Sequence, residues 1–194
     1  MRGTSLPELV VVLAILGLVF ALSLPPFADF LAEEGLQAAA REVSAIFTAA
    51  SGRAVFQGVD VGVKWTNVGG DLVLTVYQDG NGNGVLTADI KKGVDRLVAG
   101  PYWMHGKYPG ITFSFVPGFN GLDPAGAPIG NLSDPLRFGK SDICTFSPLG
   151  KASPGSVYLS NRKRRQAAVR VTPSNAKIQI FTWHGKSLKW IKRW

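Results

Sequence analysis

The sequence predicts an α+β fold in which one long N-terminal helix packs on a C-terminal antiparallel β-sheet domain. Residues 9–24 form a run that contains no charged side chain. Beyond that run, apolar residues recur at spacings of four, three, four and three, as they do along one face of a helix. From residue 59 onward the pattern changes to the alternation that is typical of half-buried strands.

The apolar stripe defines the second half of the predicted helix. Its members are Leu36, Ala40, Val43, Phe47 and Ala50. The helix is predicted to end at Gly52, because glycine adopts the left-handed conformation of a helix C-terminus without steric cost. The first half is therefore apolar on every side, whereas the second half offers one apolar face to a sheet.

Short alternating segments predict the strands of the domain. They are residues 59–65, 72–77, 111–115, 143–146, 157–159, 167–171 and 178–183. Residues 117–134 are rich in Gly, Pro and Asn and predict a long surface loop, the kind of segment that tends to carry function.

The apolar run near the N-terminus is consistent with more than one kind of targeting or membrane segment. A removed signal peptide would use Arg2 as its basic start, but Pro25-Pro26-Phe27 makes a poor cleavage site. A permanent spanning helix needs about 20 apolar residues, and residues 9–24 fall a little short. Arg2 precedes the run and acidic residues follow it, which predicts that the C-terminal domain faces away from the cytoplasm.

Glu8 stands at the head of the apolar run. A carboxylate is costly in hydrocarbon, and ionisable residues in membrane segments usually have a partner and a function. Arg2 is the only basic residue nearby in the sequence. We therefore expect the positive partner of Glu8 to come from outside this segment.

The segment GTSLPELVVV, residues 3–12, resembles the class III signal of type IV pilin-like proteins. The resemblance implies that a prepilin peptidase cleaves between Gly3 and Thr4 and that Thr4 is then N-methylated. It also implies that Glu8 meets the N-terminal amine of a neighbouring subunit during assembly, and that the helix kinks at Pro25. The family usually has Phe or Met where this chain has Thr4.

Further motifs resemble the GspH/FimT group of minor pseudopilins. They are YQDGNGNG at residues 77–84, DRL at 95–97, ITF at 111–113 and FSPLG at 146–150. The resemblance implies a pilin-like fold and a minor subunit of a type IV pilus, of a DNA-uptake machine for natural transformation or of a type II secretion system. The partners would be other pilin subunits, the prepilin peptidase and the inner membrane.

These inferences divide the chain into four parts. Residues 1–3 are the leader peptide, 4–26 the transmembrane and assembly helix, 27–52 the amphipathic helix and 53–194 the β-rich globular domain. The precursor would be a single-pass inner-membrane protein with its C-terminal domain outside the cytoplasm. The assembled subunit would lie in a pilus or pseudopilus, in the periplasm or at the cell surface.

Positive charge is concentrated in the last quarter of the chain. The formal net charge is +8, but residues 143–194 carry eleven Lys or Arg and no Asp or Glu. The remaining ten Lys and Arg, against all thirteen Asp and Glu, leave residues 1–142 at −3. This asymmetry predicts an acidic partner.

DNA is one such partner, and acidic lipid or acidic subunits are others. The remaining alternative is that the basic run is a solvated loop without a partner. The DNA-binding candidates are Arg162, Lys163, Arg164, Arg165 and Lys177. Trp183, Trp190 and Trp194 could stack on bases, although Trp183 falls in a predicted strand and is better explained as core. The GspH/FimT resemblance also implies a basic DNA-binding motif, Gly-Arg-x-Arg, which corresponds here to residues 176–179 and retains only Lys177.

A calcium-loop pattern occurs once. Asp79, Asn81 and Asn83 followed by Gly84 match the first half of a calcium-binding loop, but Ile90 stands where the bidentate Glu belongs. A flexible turn explains the same residues, because Asn and Gly tolerate positive φ. No cofactor is therefore expected, with calcium as the alternative.

Motifs of catalysis are missing from the sequence. It contains no nucleophile elbow, phosphate-binding loop or zinc-ligand spacing. We therefore expect no catalytic residues and a protein that is not an enzyme.

Overall fold

The structure, a computed structural model, describes residues 5–185 and 188–193, and within residues 22–29 it describes the backbone alone. The chain opens with one long helix and continues into strands with short helical insertions. The elements are α1 Leu6–Gln57, β1 Val61–Val68, β2 Asp71–Gln78, α2 Thr87–Lys92, β3 Arg96–Trp103, a 3₁₀ turn Gly139–Ser141, β4 Ile143–Phe146, β5 Gly155–Ser160, β6 Arg165–Val171, β7 Ile178–His184 and β8 Lys189–Lys192.

The described strands form two antiparallel sheets of four strands each. The first sheet has the order β3-β2-β1-β4 and the second has the order β5-β6-β7-β8. Helix α1 contacts β1 and β4 of the first sheet and β5, β6 and β7 of the second. The predicted α+β class, with an N-terminal helix packed on antiparallel sheets, is confirmed.

Phe47 lies at the centre of the main core. Its ring makes an edge contact with Trp65 of β1 at 5.6 Å between ring centroids, and another with Phe138 at 5.8 Å. It also packs against Phe146 of β4 at 5.8 Å. The predicted stripe residues around it on α1 are all buried. The stripe is therefore the surface that covers both sheets.

Polar contacts fix α1 at two points along the domain. Glu33 accepts a hydrogen bond from the Arg165 guanidinium at 2.6 Å. Further along, Glu42 pairs with the Lys107 ammonium at 2.6 Å and accepts a hydrogen bond from the Tyr108 hydroxyl at 2.5 Å. Burial and the neighbouring Glu42 carboxylate raise the pKa of Tyr108 to about 12. The tyrosine therefore stays protonated and keeps donating at physiological pH.

Helix α1 is longer than the sequence predicted. It continues past Gly52 to Gln57 and ends at Gly58, which has the left-handed φ of 69°. Ala54, which lies beyond the predicted end, is fully buried. The packing of this last turn keeps Gly52 helical despite its low intrinsic helix propensity.

One of two predictions for the middle of the chain is wrong. Residues 111–115 do not form a regular strand, since only Thr112 forms an isolated bridge, with Ser160. The loop predicted at residues 117–134 is confirmed, because it contains no helix or strand and most of its residues are exposed. Its Phe119 and Ile129 are buried in a second apolar cluster on the other face of the second sheet, together with Trp183. The core assignment of Trp183 is confirmed.

The sequence analysis missed strands β3 and β8 and the short helix α2. β3 and β8 lie at the outer edges of their sheets, and most of their residues are exposed or half-buried. Such strands do not alternate between apolar and polar residues, so they carry no period-two signal. β3 also contains Pro101, a residue that sheets accept mainly in edge strands.

The central position of Phe47 gives a testable prediction. Phe47→Ala should lower the free energy of unfolding by about 3–5 kcal/mol, because it leaves a cavity among Trp65, Phe138 and Phe146. Phe56 lies on the same helix but is 91% exposed, so Phe56→Ala is the matched control and should change stability by no more than about 0.5 kcal/mol. Unfolding in denaturant, followed by tryptophan fluorescence, measures both. Similar losses in the two variants would contradict this account of the core.

Candidate functional site

The first half of α1 carries large apolar side chains that the domain does not cover. Between Leu9 and Phe20 the ten large apolar side chains are 47–67% exposed. Leu36 is the first buried side chain of α1 among the described residues. One helix therefore has an apolar segment outside the domain and a second segment packed on it. Exposed apolar surfaces of this extent mark contacts with a membrane or with other proteins.

Glu8 has a local role at the start of α1. Its Oε2 atom accepts hydrogen bonds from the Ser5 backbone N–H at 2.8 Å and from the Ser5 hydroxyl at 3.1 Å. This is the glutamate side of a capping box, in which the carboxylate satisfies a backbone donor at the helix start. The S-x-x-E spacing of residues 5–8 could have indicated the contact from the sequence, but our sequence analysis missed it.

The proposed cleavage positions Gly3 and Thr4 lie outside the described residues. Pro25 lies within α1, which is assigned as one helix from Leu6 to Gln57, and the kink there stays a prediction. Among the residues whose placement is described, no helix combines the length and apolar character that a membrane span requires.

A tight turn between β5 and β6 presents the basic run. The Asn161 side-chain oxygen accepts the backbone N–H groups of Lys163, Arg164 and Arg165 at 3.0–3.1 Å. Arg162 takes the left-handed φ of 54° that this turn requires, and its guanidinium donates to Thr112. Lys163 and Arg164 are left exposed to solvent.

Arg165 differs from its neighbours because it faces the helix. Its guanidinium contacts both the Glu33 carboxylate and the His184 ring. Burial and the nearby Arg165 charge lower the pKa of His184, with Glu33 partly opposing them. Arg165 therefore joins the basic turn to α1, and it is not available to an external ligand in the way that Lys163 and Arg164 are.

The DNA-binding candidates do not form one surface. Residues 162–165 lie at the start of β6, whereas Lys177 lies in the turn after β6, at the opposite end of the second sheet. The strand between them spans about 20 Å. Lys189 lies at the same end as the basic turn, because the β7–β8 register places it opposite His184. Once β7 and β8 are recognised as a hairpin, their pairing alone places Lys189 at this end.

The tryptophans are engaged inside the domain. Trp183 is buried, so it is not a platform for stacking bases. Trp190 donates its ring N–H to the Leu122 carbonyl at 2.7 Å and packs near Phe119 and Tyr158. Trp194 lies outside the described residues.

Asp79 organises the loop that has the calcium-like pattern. Its carboxylate accepts the backbone N–H groups of Asn81, Gly82 and Gly84 at 2.8–2.9 Å. Burial acts to raise the pKa of Asp79, but these N–H groups outweigh it and lower the pKa below the usual 3.8. These hydrogen bonds close the loop without a metal ion. The alternative of a flexible turn therefore explains the residue pattern.

Two further carboxylates hold this loop, and the sequence analysis did not single them out as loop contacts. Asp95 accepts the backbone N–H groups of Gly80 and Leu86, and Asp89 accepts the Asn83 side-chain amide at 3.0 Å. Within the described part of the chain, no group of three or more His, Cys, Asp or Glu is placed to hold a metal ion. Calcium binding at Asp79, Asn81 and Asn83 stays a prediction.

Comparison with protein-family models, with curated proteins and with solved structures gives no match for this chain.

The hydrogen bonds of Asp79 predict a pH-dependent contribution to stability. Asp79→Asn should lower the free energy of unfolding by about 1–3 kcal/mol at neutral pH, because the buried Asp79 carboxylate loses one of the two oxygens that accept these N–H groups. Because the folded pKa lies below 3.8, the wild-type contribution is complete above that pH and is lost as the pH falls through the folded value. The difference between variant and wild type should therefore shrink in acid.

Thermal unfolding from neutral pH to strong acid tests this dependence. Glu34→Gln is the control, because Glu34 is exposed and its loss should leave the profile unchanged. A difference between Asp79→Asn and wild type that stays constant with pH would show that the carboxylate charge is not responsible.

Proposed function

We propose that this chain is a minor pilin or pseudopilin subunit of a type IV pilus, a DNA-uptake machine or a type II secretion system. In this proposal the first half of α1 anchors the precursor in the inner membrane, and the domain lies outside the cytoplasm. The prepilin peptidase removes residues 1–3. The mature subunit then leaves the bilayer and packs its apolar helix among those of other subunits.

The observation that carries the proposal is the division of α1 into two environments. Its second half is fixed in the core by the stripe around Phe47, whereas the ten large apolar side chains from Leu9 to Phe20 are 47–67% exposed. A filament subunit needs this arrangement, because the same apolar surface must be covered by lipid before assembly and by neighbouring helices afterwards.

Glu8 supplies the proposed assembly contact. Cleavage after Gly3 would create a new amine at Thr4, and the Glu8 carboxylate of a neighbouring subunit would pair with it. An ion pair among packed apolar helices gains strength from the low dielectric, and it becomes costly when one partner is missing. Correct register between subunits would therefore be favoured over slipped arrangements.

An alternative is a membrane-anchored DNA-binding module for competence that is not stably part of a filament. The charge of +11 on residues 143–194 supports it. It differs from the leading proposal in one respect, since a module that acts alone has no need of an intersubunit partner for Glu8.

The proposed cleavage between Gly3 and Thr4 can be tested with a variant that should block it. Gly3→Val should leave an uncut precursor, because a branched side chain replaces the glycine that precedes the proposed cleavage site. Mass spectrometry of the protein from cells that express the peptidase measures the N-terminus. Mature protein that still carries residues 1–3 in the wild type would contradict the proposal.

The role of Glu8 can be separated from helix capping. Glu8→Gln keeps an oxygen that can accept from Ser5 but removes the charge, whereas Ser5→Ala removes the hydroxyl contact and keeps the charge. If Glu8 pairs with an amine, Glu8→Gln and Glu8→Ala should both block incorporation into filaments, while Ser5→Ala should assemble. All variants should still insert into the membrane.

Filaments sheared from cells and probed for the subunit give the readout. Normal incorporation of both Glu8 variants would exclude the intersubunit ion pair and favour the module that acts alone. A block in Ser5→Ala with normal assembly of Glu8→Gln would assign Glu8 to capping only.

A further inference from the structure

The basic turns lie at the end of the domain from which the apolar part of α1 emerges. The Arg165–Glu33 pair attaches the β5–β6 turn to α1 just before Leu36, where burial of the helix begins. The β7–β8 turn lies beside it, since the Gly185 N–H donates to the Arg164 carbonyl at 3.2 Å. We call this surface the helix-exit end. It comprises residues 161–165, 185 and 188–189 and the helix around Glu33.

The helix-exit end is positively charged and concave. Lys163, Arg164 and Lys189 are exposed on it. A cavity of about 720 Å³ opens between residues 116–118 and these turns, and Lys163, Arg164 and Arg165 form part of its lining. This volume lies within the range of small-ligand sites. Among the described side chains, the acidic ones on the helix here are Glu33, which Arg165 neutralises, and the exposed Glu34. The sequence adds Asp29, four residues before Glu33.

An apolar side chain accompanies these charges. Leu188 lies at the tip of the β7–β8 turn, takes a left-handed φ of 51° and is 53% exposed. Phe30 and Leu31 of α1 are exposed to a similar extent just before Glu33. Basic side chains beside exposed apolar ones are the composition that binds the interface of an anionic membrane.

The position along α1 sets the distance to the bilayer. The apolar run ends at Leu24, nine residues before Glu33 in the same helix, which is about 13 Å along the helix axis. The headgroup layer occupies about 5–7 Å on each side of the hydrocarbon, and the Debye length at physiological salt is about 8 Å. The basic turns would therefore lie within electrostatic reach of the lipid headgroups.

We propose that the helix-exit end binds anionic phospholipid headgroups and holds the domain against the outer surface of the inner membrane before assembly. The inference rests on the proposed function, because it requires the apolar part of α1 to be in the bilayer. Lys163, Arg164 and Lys189 contact the phosphates, and Leu188 enters the interface. Nucleic acid is disfavoured at this end because the negative surface potential of the membrane repels nucleic-acid phosphates from the space between the domain and the bilayer.

Lysine acetylation of the full chain in lipid nanodiscs tests the inference. The discs contain either phosphatidylcholine alone or an equal mixture of phosphatidylcholine and phosphatidylglycerol. Lys163 and Lys189 should react about fivefold more slowly in the anionic discs, the factor that corresponds to each basic residue near such a surface. Lys151 and Lys177 are exposed at the opposite end of the domain and serve as internal controls. Mass spectrometry measures each rate.

A charge-reversed variant and its matched control sharpen the result. Lys163→Glu combined with Arg164→Glu should abolish the protection of Lys189 in anionic discs, whereas Lys177→Glu should leave it intact. Equal reactivity of Lys163 and Lys189 in the two kinds of disc, or slower reaction of all four lysines together, would overturn the inference.

Two further measurements separate the ways in which the inference could fail. If the chain does not co-purify with the discs, the membrane anchor fails and the lipid contact fails with it. If the chain stays in the discs without protection of Lys163, only the lipid contact is excluded. A second measurement adds a short DNA duplex to the chain in neutral discs and tests whether DNA protects Lys163. Protection of Lys163 by DNA but not by anionic lipid would assign this end to nucleic acid instead.

Discussion

The packing of one helical stripe against two separate sheets is the constraint on which the rest of this structure depends. The two described sheets have no ladder between them, and α1 packs on both. Phe47 lies at the centre of this packing, against Trp65 of β1, Phe146 of β4 and Phe138. Alanines on the same stripe are fully buried, which lets the helix approach the strands closely.

The same helix makes the two ends of the molecule different. From Leu36 onward its apolar face packs on the domain, whereas the described apolar side chains from Leu9 to Phe20 and at Phe30 and Leu31 are exposed. The basic turn lies at the boundary between these two parts of the helix, because the Arg165–Glu33 pair attaches it to α1 just before Leu36. Anchoring, filament assembly and attachment to lipid are thus proposals about one helix and the surface next to it.

Polar side chains at the turns fix details that apolar packing leaves open. Asn161 gathers three backbone N–H groups and so exposes Lys163 and Arg164, while Asp79 closes its own loop in a similar way. Each turn is specified by one short side chain that accepts several donors. Asn and Asp are suited to this role because their oxygens reach the backbone of nearby residues, here two to five positions further on.

The sequence alone determined the long helix, its apolar stripe, the uncovered apolar run and the central strands, because these features repeat with a period that is set by local geometry. It could not place the edge strands β3 and β8, which contain no fully buried residue, or the burial of Phe119 and Ile129 in a segment with no period. Only the tertiary structure separated Lys177 from Arg164 and joined Arg165 to Glu33, 132 residues away. Contacts between distant segments depend on strand order and register, and no local pattern encodes them.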